Sequence, residues 1–264
     1  MNDSLAPVSS ALPILDVEGL VVRYGTRTAV DNVSLQIARG EIFGLLGPNG
    51  AGKTSTLSAI EGLVTPSGGT VLVDGVDIQR DPLAAKARLG VQLQASGFQS
   101  ELTIEEIARL YSGLYGLKVT KQETADQVRN VGLGDELGKR FKSLSGGQQQ
   151  RLSLLIAVIH QPVLLLLDEP TSGLDPQSRR QLWNRLEGLR TGGGSILLTT
   201  HSMEEAQAVC DRVAIIDHGK VLTVGTPAGL IAQYRHDPRV VEVARGDVTL
   251  EDVFIGLTGS EIRG

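Results

Sequence analysis

Three short stretches carry residue types that could do chemistry together. The first is Gly47-Pro48-Asn49-Gly50-Ala51-Gly52-Lys53-Thr54. Three glycines and an alanine clear Cβ bulk from the backbone, so successive N–H groups can curl around a polyphosphate, with a helix N-terminus behind them. In such a loop Lys53 reaches the β- and γ-phosphates and the Thr54 hydroxyl holds Mg²⁺. The second is the pair Asp168-Glu169 after an apolar run. Adjacent carboxylates there suit metal support, for Asp168, and the orientation and deprotonation of an attacking water, for Glu169. The third is Leu144-Ser145-Gly146-Gly147-Gln148 before a helical pattern. It offers a second anion cradle but brings neither a lysine nor a carboxylate of its own. Taken alone, Ser-Gly-Gly is also an ordinary loop. A chain with one complete and one incomplete phosphate site is most simply completed by a second copy placed head to tail.

These stretches need positioning elements, and the hydrophobic pattern supplies them. Glu41 to Leu46 is an apolar strand leading into the first loop, and an apolar-periodic helix follows it. Val163 to Leu167 is apolar without interruption, as expected of a parallel strand buried on both faces, and it delivers Asp168 and Glu169 at its carboxyl end. Ile196 to Thr200 and Arg212 to Asp217 read as further strands around a helix near Met203 to Cys210, which implies a wound α/β core. Ahead of the first loop, Leu15, Val17, Leu20 to Tyr24, Val33, Leu35 and Ile37 alternate in the manner of an antiparallel sheet with one wet face. Asp74-Gly75 suits a tight hairpin between Thr70 to Asp74 and Val76 to Ile78. Helical segments at Ile104 to Leu114 and Gln122 to Val131 mark an inserted helical region. Near the end, Val240 to Val243 reads as a short β-like run, and Thr249 as the cap of a helix with Asp252 in its first turn.

The organisation expected is a flexible tail over 1–12 and a main domain over 13–234. That domain divides into a catalytic core of 13–94 and 162–234 and a helical subdomain of 95–161, with a small appendage at 235–264. The bulk numbers narrow the function. A net charge of −5 argues against general nucleic-acid affinity. Cys210 is the only cysteine, so no disulfide can form within the chain and a reducing compartment is expected. No apolar run is long enough to cross a bilayer, since Leu152 to Leu167 is broken by His160-Gln161-Pro162. The first residues also lack the charged start of a secretory signal.

In order and in full, these motifs resemble those of the nucleotide-binding subunits of ATP-binding cassette (ABC) transporters, over about Leu15 to Leu230. Gly47 to Thr54, with Ser55 after it, looks like the Walker A loop. Val163 to Glu169 looks like Walker B, and Leu144 to Gln148 matches the LSGGQ signature. The resemblance implies a P-loop fold with a wound sheet, an antiparallel β subdomain and an inserted helical subdomain. It also implies two ATP molecules with Mg²⁺ between two cassettes, the signature of one chain acting on the γ-phosphate held by the other. It gives Tyr24 the adenine-stacking place and makes Gln94 the glutamine that meets Mg²⁺ or the attacking water, with Gln92 and Gln99 nearby as alternatives. Ser172-Gly173-Leu174-Asp175 becomes the loop that crosses the dimer interface, and His201 the switch histidine. The implied partners are a second copy or a homologous cassette and a separate polytopic permease, at the cytoplasmic face of the membrane, with no nucleic acid. Leu250-Glu251-Asp252-Val253-Phe254 followed by Leu257-Thr258-Gly259 resembles the tail of cassettes serving drug, lipid and polysaccharide exporters. An importer cassette and a soluble ABC ATPase acting on DNA or the ribosome are the alternatives.

Overall fold

The computed structural model describes residues 12–92 and 98–259. The strands β1 (Leu15–Tyr24), β2 (Arg27–Ile37), β4 (Gly68–Val73) and β5 (Val76–Asp77) form an antiparallel sheet in the order β2-β1-β4-β5. Along β2 buried Val30, Val33, Leu35 and Ile37 are separated by exposed or half-buried residues, the alternation of a sheet wet on one face. The β4–β5 turn places Asp74 at φ 49° and Gly75 at φ 76°, the two positive values a tight hairpin needs.

The second sheet has the order β10-β9-β3-β8-β7-β6, built from β3 (Ile42–Leu46), β6 (Leu89–Val91), β7 (Leu164–Asp168), β8 (Ser195–Thr200), β9 (Arg212–Asp217) and β10 (Lys220–Gly225). All pairs are parallel except β9 with β10. β3, β7 and β8 run side by side in its middle, and every residue of β3 and β8 is buried. Because parallel strands end together, Leu46, Asp168 and Thr200 finish at one edge of the sheet, where α1 (Lys53–Ile60) begins.

Helices cover both faces. One face packs with α1 and the antiparallel sheet through Phe43, Leu45, Leu57, Ile60, Leu164, Leu166 and Leu197. The other buries Ile42, Leu46, Leu165, Leu167 and Ile215 against α6 (Pro176–Thr191), α7 (Met203–Val209), α8 (Pro227–Tyr234), α9 (Pro238–Val243) and α10 (Leu250–Thr258). A third apolar cluster belongs to α3 (Ile104–Leu114), α4 (Lys121–Asn130) and α5 (Gly146–Val158). α5 belongs to two cores, giving Leu154 and Ala157 to the sheet face and Leu152, Leu155 and Ile156 to the helical cluster. That double packing fixes the start of α5, where the Ser-Gly-Gly stretch lies. A short helix, α2 (Pro82–Lys86), precedes β6.

Two expectations change. Val240 to Val243 is not a β-like run but most of α9: Asp237 caps it by accepting from the Arg239 N–H, Pro238 supplies the fixed φ of its first turn, and Val240 is buried. Of the segment expected to be an appendage, the described part, 235–259, contributes to the main core, and 260–264 lie outside the described residues. Thr249 and Asp252 form a capping box on α10, whose Leu250, Val253 and Phe254 are at most 1% exposed within the sheet-face cluster. Residues 1–11 of the expected tail lie outside the described residues. No described helix is long and apolar enough to cross a membrane.

Candidate active site

The loop between β3 and α1 is shaped by close packing. A Cβ on Gly47 would meet the Ile216 carbonyl oxygen at 2.4 Å, and one on Gly52 the Ala29 carbonyl oxygen at 2.5 Å, so neither position admits a side chain. Gly52 also has φ 105°, and it caps α1 without any side-chain hydrogen bond to the first amides. The start of α1 therefore presents N–H groups that no side chain has claimed, with the helix dipole behind them. Lys53 is only 5% exposed; its ammonium donates to the Gly47 and Pro48 carbonyls at 2.8 and 3.2 Å. A third contact, 3.2 Å to Glu169 Oε1, completes its shell.

The carboxylates are equally fixed. Asp168 ends β7, where its Oδ2 accepts from the Thr54 hydroxyl at 3.1 Å and its Oδ1 from the Thr199 hydroxyl. Two hard oxygen donors, Thr54 Oγ1 and an Asp168 oxygen, lie side by side, the donor chemistry that Mg²⁺ takes. Glu169 adopts φ 45°, an uncommon conformation for a residue with a side chain, and its N–H donates to Thr199 Oγ1 at 3.0 Å. Its Oε2 is 3.3 Å from His201 Nδ1. Burial alone would raise the Glu169 carboxyl, but Lys53 and His201 outweigh it and hold the group below the usual carboxylate range.

The other sequence candidates surround this centre. Tyr24 is 48% exposed and lines a cavity of about 190 Å³ with Asn49, Gly50, Thr54 and Ser55. Arg27 lines the same cavity, a residue the sequence reading missed. Leu144, the first signature residue, is buried. Ser145 caps α5 in a reciprocal box: its hydroxyl accepts from the Gln148 N–H at 3.3 Å and Gln148 Oε1 accepts from the Ser145 N–H at 2.9 Å. Gly146 and the catalytic carboxylates flank a wider cavity of about 580 Å³, with Ser172, Gly173 and Leu174 on its wall. Among the described residues no hydrogen bond joins Ser145, Gly146 or Gly147 to Lys53, Thr54 or Glu169, although Gly146 shares the wider cavity with Thr54. Asp175 caps α6 through the Gln177 and Ser178 amides, and the Ser178 hydroxyl bond leads the interactions that hold its carboxyl low.

Gln94 lies outside the described residues. Its neighbour Gln92 lines the wider cavity with Thr54 and Asp168, and its buried Oε1 has no hydrogen-bond partner, whereas Gln99 is exposed. Thr199 was also missed as a site residue. Its hydroxyl bridges Asp168 and the Glu169 amide, a role that a Thr in a buried apolar strand signals only by being polar there.

The family model described as ABC transporter matches residues 30–172, more than half of the chain. The chain belongs to the ABC transporter family. It is 40% identical over 227 residues to the Nod factor export ATP-binding protein I of Ralstonia nicotianae, a match spanning 85% of this chain and 71% of that protein. It is 37% identical over 246 residues to the probable multidrug ABC transporter ATP-binding protein YbhF of Escherichia coli, covering 92% of this chain and 41% of that one. A solved ATP-binding subunit of an ABC transporter superposes with a TM-score of 0.80 at 28% identity, over 92% of this chain and 99% of that structure. As an ABC transporter ATPase the chain binds and hydrolyses ATP, and membrane permease components are its class of partner.

Proposed function

We propose that this chain is the energising subunit of a multi-chain ABC exporter, working as a head-to-tail pair of cassettes at the cytoplasmic face of the membrane. Each ATP is held by Tyr24 and the Gly47 to Ser55 loop of one cassette and closed over by Ser145, Gly146 and Gly147 of the other. The observation that carries the pairing is the contrast between the two glycine sets. Gly47 and Gly52 are required by their own chain's packing, whereas a Cβ on Gly146 would meet nothing within 4 Å and one on Gly147 only Ser178 Oγ at 3.8 Å. The helical φ of these two residues does not require glycine either, so the small residues answer to something outside this chain.

The geometry supports a hydrolytic sequence. Glu169 pairs with both Lys53 and His201. A γ-phosphate competes for those two groups and frees the Glu169 carboxylate to orient water and take its proton, as the water oxygen bonds to phosphorus and the β–γ bridging bond breaks. Thr54 and Asp168 would hold Mg²⁺, with Gln94 the further candidate; when bound, the ion neutralises charge on the β- and γ-phosphates. In this reading Asp175 and the Ser172 to Leu174 segment form the loop that crosses to the second cassette.

Export is favoured by two independent features. Relatives sharing most of this chain's length are named for Nod factor export and for multidrug transport. The Leu250 to Phe254 motif also resembles the tail of cassettes of that branch, which supports a drug-like, lipid or polysaccharide cargo. The test is to tag this chain, solubilise membranes gently and identify by mass spectrometry what co-purifies with magnesium-dependent ATPase activity. A polytopic partner of exporter topology is expected. A permease of importer topology, or ribosomal or DNA-repair proteins without a membrane partner, would overturn the proposal.

A further inference from the structure

The first turns of α5 carry three consecutive glutamines, and their side chains have three destinations. Gln148 Nε2 donates to Glu136 Oε1 at 3.1 Å and Gln149 Nε2 to the Leu144 carbonyl at 3.2 Å, both within the helical region. Gln150 Nε2 instead donates to the carbonyl of Pro170, the residue directly after Glu169. The helix headed by the signature therefore holds the loop that carries the catalytic carboxylate of the same chain. Gln150 also lines two cavities, the wider one with Thr54, Asp168 and Glu169 and a second of about 260 Å³ with Ser145, Gly147 and Asp175.

The loop that Gln150 holds is tightly connected to the carboxylate. The Glu169 N–H is bonded to Thr199 of β8, and the Glu169 carbonyl accepts from the Ser172 N–H at 3.0 Å. Pro170 has no N–H and one locked torsion, so less of any displacement of its carbonyl is absorbed before Glu169. Glu169 sits at φ 45°, a narrow well in which a small backbone shift re-aims the side chain. On the other side, Gln150 lies one helical turn from Gly146, about 6 Å along α5, and a helix passes a shift of its first turn to its second. Pro170 itself lines the wider cavity, where water can take the place of the amide if it is removed, so the bond is not required merely to satisfy the carbonyl.

We propose that Gln150 is a positioning residue that relays the state of the signature to the general base: its bond to the Pro170 carbonyl ties the start of α5 to Glu169. When the signature of one cassette engages the nucleotide held by the other, Gln150 sets the Glu169 that acts on the nucleotide held by its own chain. It touches neither nucleotide nor attacking water, and it acts on turnover after the cassettes close rather than on closure or on ATP affinity. The inference rests on the head-to-tail pairing and on the assignment of Glu169 to hydrolysis.

The experiment measures steady-state ATPase of the full chain with Gln150→Met or Gln150→Asn, each alone and combined with Gly146→Asp, beside thermal melts and light scattering at saturating MgATP. Gln150→Met keeps the length and removes the donor. It should melt within about 4 °C of the parent and lose about tenfold in kcat, with KM for ATP changed by less than about twofold. Gln150→Asn keeps a donor one carbon short and should lose about threefold. Glu169→Gln/Gln150→Met should dimerise with MgATP as Glu169→Gln does. Gly146→Asp blocks the signature, so in that background the cost of Gln150→Met should shrink below about twofold. The same tenfold cost in both backgrounds would make the bond a local support of its own site and overturn the relay. A folded Gln150→Met with kcat within about twofold of the parent, or a Glu169→Gln/Gln150→Met chain that stays monomeric, would overturn it as well. If Gln150→Met does not fold, Gln150→Asn decides by the same comparison: a loss confined to the chain with an intact signature supports the relay, and an equal loss in both backgrounds, or none, overturns it. Gly146→Asp alone is the control, because parental turnover there would overturn the pairing itself, whereas turnover lost there with equal costs for Gln150→Met in both backgrounds would sink this inference alone.

Discussion

Two helices of this chain begin with glycine-rich turns fit for phosphate, and they are prepared in opposite ways. At the start of α1 no side chain caps the amides, a buried lysine stands by, and the loop's own chain demands its glycines, by packing at Gly47 and Gly52 and by positive φ at Gly50 and Gly52. At the start of α5 the Ser145–Gln148 box claims the Ser145 and Gln148 amides, the nearby cation Arg151 donates to the Gly147 carbonyl and is not a buried lysine of the loop, and a Cβ on Gly146 would meet nothing within 4 Å and one on Gly147 only Ser178 Oγ. The first is a binding site paid for within one chain. The second is capped within its own chain and brings no buried lysine, which suits a contact made only when nucleotide is held by a second cassette.

The largest effect that would break this contrast is at the first cradle. Lys53→Ala removes the cation and leaves the α1 amides as the main phosphate contacts, and turnover should fall about 1000-fold or more in a steady-state assay. Turnover within about tenfold of the parent would mean that Lys53 is a structural ammonium serving the Gly47 and Pro48 carbonyls. At the second cradle Gly146→Asp places a carboxylate in open space. Turnover should fall by about 10- to 100-fold while the melting temperature moves by less than about 2 °C, separating loss of function from loss of fold.

Smaller effects sharpen the comparison. The bare N-terminus of α1 is matched by an unfavourable far end: Glu61 caps its C-terminus, and burial, with Asp168 adding to it, raises its carboxyl to about 7. Since the folded chain binds that proton more tightly than the unfolded one, stability falls as pH rises from about 4.5 to about 7 and stays level above. Glu61→Gln should therefore stabilise the chain by about 2 kcal/mol at pH 8 and leave it nearly unchanged at pH 4, read from denaturant melts. An equal gain at both pH values would count against the proton linkage. Smallest is Ser145→Ala, which removes the α5 cap and should cost about 1 kcal/mol in nucleotide-free melts. No measurable cost would mean that α5 does not depend on its own cap.

Much of this arrangement was legible in the sequence because its chemistry is written in short local strings. Gly47 to Thr54, Asp168-Glu169 and Leu144 to Gln148 each name their residues consecutively, and the continuous apolar run before Asp168 announced its buried strand. What stayed hidden depends on contacts between distant segments. β6 is three residues long and exists because Leu89 to Val91 add to β7. α6 buries only Leu182 and Leu186 among its 16 residues, too little periodicity to stand out. Val240 to Val243 carries β-branched residues that a proline and an aspartate cap turn into helix. Glu204 and Glu205 are indistinguishable as letters, yet one pairs with Arg179 at the surface and the other is fully buried beside Trp183.

The central claim is that the second cradle works on nucleotide held by another copy of the chain. The direct measurement is light scattering of Glu169→Gln at saturating MgATP, beside the double variant Glu169→Gln/Gly146→Asp. The single variant should double its mass from the 28.0 kDa of one chain, and the double variant should not. A Glu169→Gln chain that stays monomeric, or a double variant that dimerises equally well, would contradict the account.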